Sequence, residues 1–398
     1  ICLLIHKILD YRKDELVKEV FSSFIWMVIG IFADRFVDKI VFPHLLKIKI
    51  NKRKKQSQKL YSGEKTFEYM RNYYGNQLYN CKIQNVSVQI PYLVNNEWSR
   101  WNIDVFSNPD ILTSVNTNEC TYPINMKFIK EKLKEGKRIE NNPSLFLHSI
   151  QCSKEKLKIE VGEYPYFQRI SFVYDLGKET YSNVYGKWEK CDRLRNMYLP
   201  RNISSTFVSQ NTIPLGADAA VIIRRKGKYQ VCIHKRSDNC ANYQKKTMVV
   251  PSFGFGKITN VDNPLLYSFF SEFSEELFDR EEMEIPDNYL NPTWFYQQYE
   301  EIVELLELKE SNELEIKVIG AGLDTIGGFF NINLMVVIHS EKVSNELYNH
   351  IHGNWETCSG SIRFISLDSY EIADLLKNNQ LAPSTAFTIA RAIEVLSV

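Results

Sequence analysis

Three glutamates, Glu272, Glu275 and Glu276, stand at i, i+3 and i+4 in the run Ser268-Phe-Phe-Ser-Glu-Phe-Ser-Glu-Glu-Leu-Phe278. On a helix that spacing puts all three on one side. Carboxylates held so close repel one another unless a cation is shared among them. Hard oxygen ligands with incomplete coordination suit Mg²⁺ or Mn²⁺ bridging a substrate phosphate. The other reading of the same spacing is a solvated acidic face, partly paired by Glu276 with Arg280 at i+4.

The chemistry needs elements that position it. A strand-like run, Met248-Val-Val250, leads into Pro251-Ser-Phe-Gly-Phe-Gly-Lys257, where Gly254 and Gly256 supply a loop and are the candidate ligand-loop residues. A helix is expected from about Pro264, whose fixed φ suits a first turn, with Asn263 as its cap. Leu266, Phe269, Phe270, Phe273 and Leu277 recur at helical period and form the packing face. Upstream, the run from Gly216 to Arg225, the turn Lys226-Gly-Lys228 and the run from Tyr229 to Ser237 predict a hairpin.

These residues resemble a Nudix box, Gly-x5-Glu-x7-Arg-Glu-U-x-Glu-Glu-x-Gly-U with U a bulky apolar residue. In that family the box is a loop-helix-loop that binds divalent metal and cleaves nucleoside diphosphates linked to another group. The resemblance implies metal-binding and catalytic roles for Glu272, Glu275 and Glu276, with Phe273 at the apolar position. The chain departs from the box at four places: Ser271 replaces the arginine, Phe278 the second glycine, Asn263 the first glutamate and Lys257 the first glycine. The order strand, hairpin, Pro/Gly loop and acidic helix is also that of the family. The implied fold class is α/β (α+β), a Nudix-like mixed sheet between helices, with Mg²⁺ or Mn²⁺ as cofactor.

The chain has 398 residues, enough for two domains, and a formal net charge of +1, so no global field recruits nucleic acid and no direct nucleic-acid binding is expected. Eight cysteines include no Cys-x-x-Cys pair, which predicts reduced thiols. His350-x-His352 reads as a surface loop rather than a metal site. Gly320, Gly322, Gly327 and Gly328 do not make a dinucleotide fingerprint and read as bulges or a loop near a ligand mouth.

Residues 1–60 predict a membrane anchor. An apolar run from Phe21 to Phe32, extended to about Phe42, precedes the basic flank Lys47, Lys49, Lys52, Arg53, Lys54, Lys55 and Lys59. The expectation is a single-pass membrane protein with its main part cytoplasmic; the alternative is an amphipathic helix packed on the globular part or lying on a membrane surface. Residues 61–200 read as an α+β domain with strands at Val86–Ile90, Leu157–Val161 and Gln168–Tyr174 and a helix from Ile124 to Glu135. Its Trp98 and Trp101 suit either base stacking or packing. Residues 201–398 read as the Nudix-like domain: a helix follows Asn291-Pro292 to about Leu308. Strands come next at Ile316–Ile319, Phe329–His339 and Ile362–Leu367, with closing helices at Tyr370–Lys377 and from Pro383.

Taken together, an anchor-like helix, an α+β segment and a degenerate box resemble the SMODS-associated Nudix proteins, which accompany bacterial nucleotidyltransferases making cyclic-oligonucleotide signals in antiviral defence. That resemblance implies a membrane-anchored sensor or effector binding a nucleotide or cyclic-oligonucleotide ligand. Two alternatives stay open: a metal-dependent Nudix hydrolase, and a membrane-tethered interaction protein on an inert scaffold.

Overall fold

The computed structural model describes residues 15–36, 42–83, 86–115, 122–137, 139–152, 156–186, 191–204, 207–240, 242–257, 261–281 and 294–397. The chain divides into two units, Ile1–Lys55 and Gln56–Val398. In the first, α1 (Glu15–Phe36) exposes Val20, Phe24, Trp26 and Met27. Among the described residues no helix is long and apolar enough to cross a membrane, which corrects the expected single-pass anchor. Lys18 and Glu19 at one end and Asp34 and Arg35 at the other leave only Val20 to Ala33 without charge. That stretch covers about 21 Å at about 1.5 Å per residue, against a hydrocarbon core of about 30 Å. The basic run falls on α2 (Phe42–Ser62), which carries no acidic residue. Without a spanning helix it sets no orientation, so the expected cytoplasmic placement loses its basis.

The second unit takes in the end of α2 from Gln56 and then α3 (Glu64–Tyr74), which buries Phe67, Met70 and Tyr74 at helical spacing. β1 (Leu78–Ile83), β2 (Val86–Leu93), β3 (Ile103–Asp104) and β4 (Leu112–Ser114) follow, then α4 (Met126–Lys134), β5 (Pro143–Cys152) and β6 (Leu157–Pro165). α5 (Tyr166–Tyr185) and α6 (Arg193–Tyr198) complete this stretch. The strand expected at Gln168–Tyr174 is instead the first half of α5. Its β-branched and aromatic residues suit a strand over seven positions, but Ile170, Val173, Leu176, Gly177 and Thr180 are buried at a period that only a helix supplies.

Downstream come β7 (Phe207–Arg225), β8 (Lys228–Lys235), β9 (Thr247–Val249), β10 (Ser252–Gly254) and α7 (Pro264–Phe278). α8 (Glu300–Glu310), β11 (Leu314–Asp324), β12 (Phe330–Ile338), α9 (Glu341–His350), β13 (Arg363–Ser366), α10 (Tyr370–Lys377) and α11 (Pro383–Leu396) close the chain. The helix start expected at Asn291-Pro292 lies outside the described residues. The β7–β8 hairpin forms as its turn sequence dictates, with Lys226 at φ 53° and Gly227 at φ 72°.

Among the described residues the strands join in one 13-stranded sheet whose main path runs β1-β2-β11-β12-β7-β5-β6-β4. β7 is its hub, parallel to β12 and antiparallel to β5, β8 and β10. Strands from before and after residue 200 therefore share hydrogen bonds. Alternation along β7 splits the core: Ala217, Ala219, Val221 and Ile223 join Phe269 and Phe273 of α7 on one face. Ala220 and Ile222 join Phe387 and Ile389 of α11 on the other. The class is α+β, a mixed sheet between helical layers.

Trp98 and Trp101 are 0% and 6% exposed and pack 5.5 Å apart, so they are core rather than a stacking platform. Gly320 sits at a bulge of β11, where a Cβ would meet the Phe387 ring at 2.7 Å. His350 ends α9, and His352 Nδ1 stands 3.0 Å from its carbonyl oxygen.

Candidate functional site

α7 begins where its local chemistry places it. Asn263 Oδ1 accepts from Leu266 N at 3.1 Å, its Nδ2 donates to the Val105 carbonyl at 2.9 Å, and Pro264 fills the first turn. Leu266, Phe269, Phe270, Phe273 and Leu277 are buried as the period requires. The helix ends on Asp279 in the left-handed region, φ 54°, one residue beyond Phe278. Glu272, Glu275 and Glu276 all line a single cavity of about 340 Å³.

The three carboxylates are not equivalent. Glu272 and Glu275 are partly buried, whereas Glu276 is 3% exposed and its Oε1 accepts from Ser252 N of β10 at 3.2 Å. Burial, followed by the charge of Glu356, holds the Glu276 carboxyl well above the usual carboxylate range, and Arg236 opposes that rise. Arg236, just beyond β8, is ion-paired with Glu356. Arg280 does not pair with Glu276; it forks onto Glu301 of α8 with bonds of 3.1 and 3.2 Å. The i+4 pairing considered from the sequence is therefore not the one formed. Among the described residues no group of three or more His, Cys, Asp or Glu side chains could hold a metal ion.

The opposing wall comes from α5. Arg169 Nη1 donates to Ser144 Oγ at 3.1 Å, and its guanidinium lies 5.4 Å from the Phe329 ring centre and 5.9 Å from that of Tyr166. A Cβ on Gly254 would stand 2.0 Å from Arg169 Nη1, so the glycine is the space the guanidinium occupies. No described carboxylate lies within ion-pair distance of Arg169. Of the two loop glycines expected at the ligand, Gly254 lines the cavity and Gly256 lies outside its wall.

Deeper in, Asp218 and Asp324 are 2% and 1% exposed. Asp218 accepts from Ser252 Oγ at 2.5 Å and Thr385 Oγ1 at 3.2 Å; burial raises its pKa. Asp324 accepts from the Tyr243 hydroxyl and from Ile326 N and Gly327 N, both at 2.9 Å. Burial pushes its carboxyl up to about 6. Two more cations reach the cavity from the α4 side: Lys132, paired with Glu135 at 3.0 Å, and Lys137, donating to the Asp238 carbonyl at 2.7 Å.

Sequence reasoning missed Arg169, Arg236, Asp218 and Asp324. One signal was present: Asp218 interrupts an otherwise apolar run, Ala217 to Ile223, that had to be buried. Arg169 had none, because a strand there would have given it another environment.

The wall carries Asp218, Glu272, Glu275, Glu276, Asp324 and Glu356 against Lys132, Lys137, Arg169 and Arg236, and burial favours the neutral form of Glu276 and raises the pKa of Asp218, so acids and bases come close to balance. An anion that brings its own divalent cation is well matched, since Mg²⁺ needs only one or two protein carboxylates beside phosphate and water. No family model matches the chain, and no curated protein matches it.

Proposed function

We propose that the cavity binds a phosphorylated nucleotide, taken up as its Mg²⁺ or Mn²⁺ complex. The observation that carries this is Arg169: a guanidinium with no described carboxylate partner, seated over Gly254 beside two aromatic rings and lining a cavity of nucleotide size. Glu272 and Glu275 supply the carboxylates toward the metal side, and Arg169 takes a phosphate oxygen. The hairpin, the glycine loop, the capped acidic helix and the two helical layers support reading residues 201–398 as Nudix-like. On that reading the chain is a sensor or effector of a nucleotide or cyclic-oligonucleotide signal, as in the antiviral systems it resembles.

Binding without efficient turnover follows from the same residues. Ser271 stands where the family's orienting arginine belongs, and Glu276 is held by Ser252 N and buried. Misplacing a catalytic group by about 1 Å can cost roughly a hundredfold in rate. The test is calorimetry on the full chain with nucleosides, linear nucleotides and cyclic oligonucleotides, with and without Mg²⁺, followed by assay for released product. Nucleotides should bind and the matching nucleosides should not, and Arg169→Ala should weaken nucleotide binding about tenfold or more. Equal binding of nucleoside and nucleotide, or an Arg169→Ala variant that binds as the parent does, overturns the reading. Turnover faster than about 1 per second would make the hydrolase the better description.

A further inference from the structure

β12 carries two asparagines on one face, Asn331 and Asn333, and their side chains have opposite fates. Asn333 is 0% exposed and satisfied at both ends: its Oδ1 accepts from the Tyr92 hydroxyl at 2.8 Å and its Nδ2 donates to Thr388 Oγ1 at 2.8 Å. Asn331 is 8% exposed and lines the cavity, and its carboxamide makes no hydrogen bond to any described residue. Neither of its polar atoms is cut off from solvent, so the carboxamide meets the water of the cavity and a ligand can take that water's place. The chain has made room for it, since a Cβ on the facing Gly216 would stand 2.7 Å from Asn331 Oδ1 and 2.8 Å from the Phe253 carbonyl oxygen.

Asp218 and Asp324 line the same cavity, and neither forms an ion pair with a described cation. The carboxylates are already engaged by Ser252, Thr385, Tyr243 and two backbone N–H groups, so the Asn331 carboxamide, with a donor beside an acceptor, is the group the cavity offers to a ligand edge. That pattern suits a flat heterocycle whose exocyclic amino group stands next to a ring-nitrogen acceptor, the edge on which an asparagine makes two hydrogen bonds. We propose that Asn331 reads the base edge of the bound nucleotide and selects a base that presents an amino group beside N7, as adenine does, over its oxo counterpart, which presents two acceptors there. The proposal rests on the nucleotide reading of the same cavity. Arg169 then sets affinity through the phosphate, and Asn331 sets which base is accepted.

The experiment compares matched pairs on the full chain by calorimetry in Mg²⁺: adenosine against inosine triphosphate, and cytidine against uridine triphosphate. The amino member of the purine pair should bind about tenfold more tightly. Asn331→Leu, close in shape, and Asn331→Ser, smaller and polar, should each bring the pair within about twofold. Both should keep the preference for nucleotide over nucleoside. The serine variant carries the test if the leucine variant does not fold. Equal binding within the purine pair by the parent chain, or discrimination that survives in the folded variants, overturns the role of Asn331. Failure of all four triphosphates and of the cyclic oligonucleotides to bind, with Arg169 intact, overturns the nucleotide reading itself.

Discussion

The guanidinium of Arg169, on α5, fills the volume that a Cβ of residue 254, on β10, would claim, at 2.0 Å from Nη1 and 2.1 Å from Nη2. A helix and a strand far apart in sequence thus share one position in the cavity wall. The clash falls on the far end of a flexible side chain, so Gly254→Ala should fold with a loss of no more than about 1 kcal/mol while displacing the guanidinium. Nucleotide affinity should fall about as far as in Arg169→Ala, and the double variant should be no worse than either single one. Thermal unfolding and calorimetry on the three variants check this; additive losses would separate the two residues.

Glu276→Gln should leave the protein at least as stable as the parent at pH 8. The folded carboxyl has its pKa raised, so it contributes stability while protonated and loses it as pH rises above the ordinary glutamate value of 4.5. Glutamine keeps an oxygen for Ser252 N and has no charge to bury. Denaturant unfolding between pH 5 and pH 8 should show a flatter profile for the variant, and a loss above about 2 kcal/mol at pH 8 would contradict the buried, charge-averse environment.

Asp324 behaves alike in a defined window. Its pKa rises from 3.8 in the unfolded chain to about 6, so the folded state holds the proton longer and stability declines as pH rises between the two values. A rise of that size corresponds to about 3 kcal/mol. Asp324→Asn can still accept from Ile326 N and Gly327 N, and should remove that decline. Unfolding curves taken across pH 4 to 7 measure it; a variant with the parent's slope would assign the decline elsewhere.

Arg280 and Glu301 should couple, and Arg280 and Glu276 should not. Arg280 is 44% exposed in its side chain, so solvent screens the fork and the coupling should be only about 0.5 to 1 kcal/mol. A double-mutant cycle with Glu276 should return zero within about 0.3 kcal/mol. A stronger coupling between Arg280 and Glu276 would restore the i+4 pairing on α7.

The sequence by itself determined what neighbours along the chain enforce. Asn263 and Pro264 set the start of α7, the Phe and Leu period set its buried face, and Lys226-Gly227 set the hairpin turn, because capping, period and turn geometry act within a few residues. Local pattern failed at Gln168–Tyr174, where seven residues satisfied a strand and the wider window satisfied a helix, and at α1, where charged ends shortened the apolar run. Only the tertiary structure decided which glutamate is buried, which acid Arg280 meets, and that Arg169, Gly254, Asp218, Asp324 and Asn331 line one cavity. Those relations are carried by strand pairing and helix packing between distant segments. Side-chain burial and partners follow from that packing, which no single stretch of sequence contains.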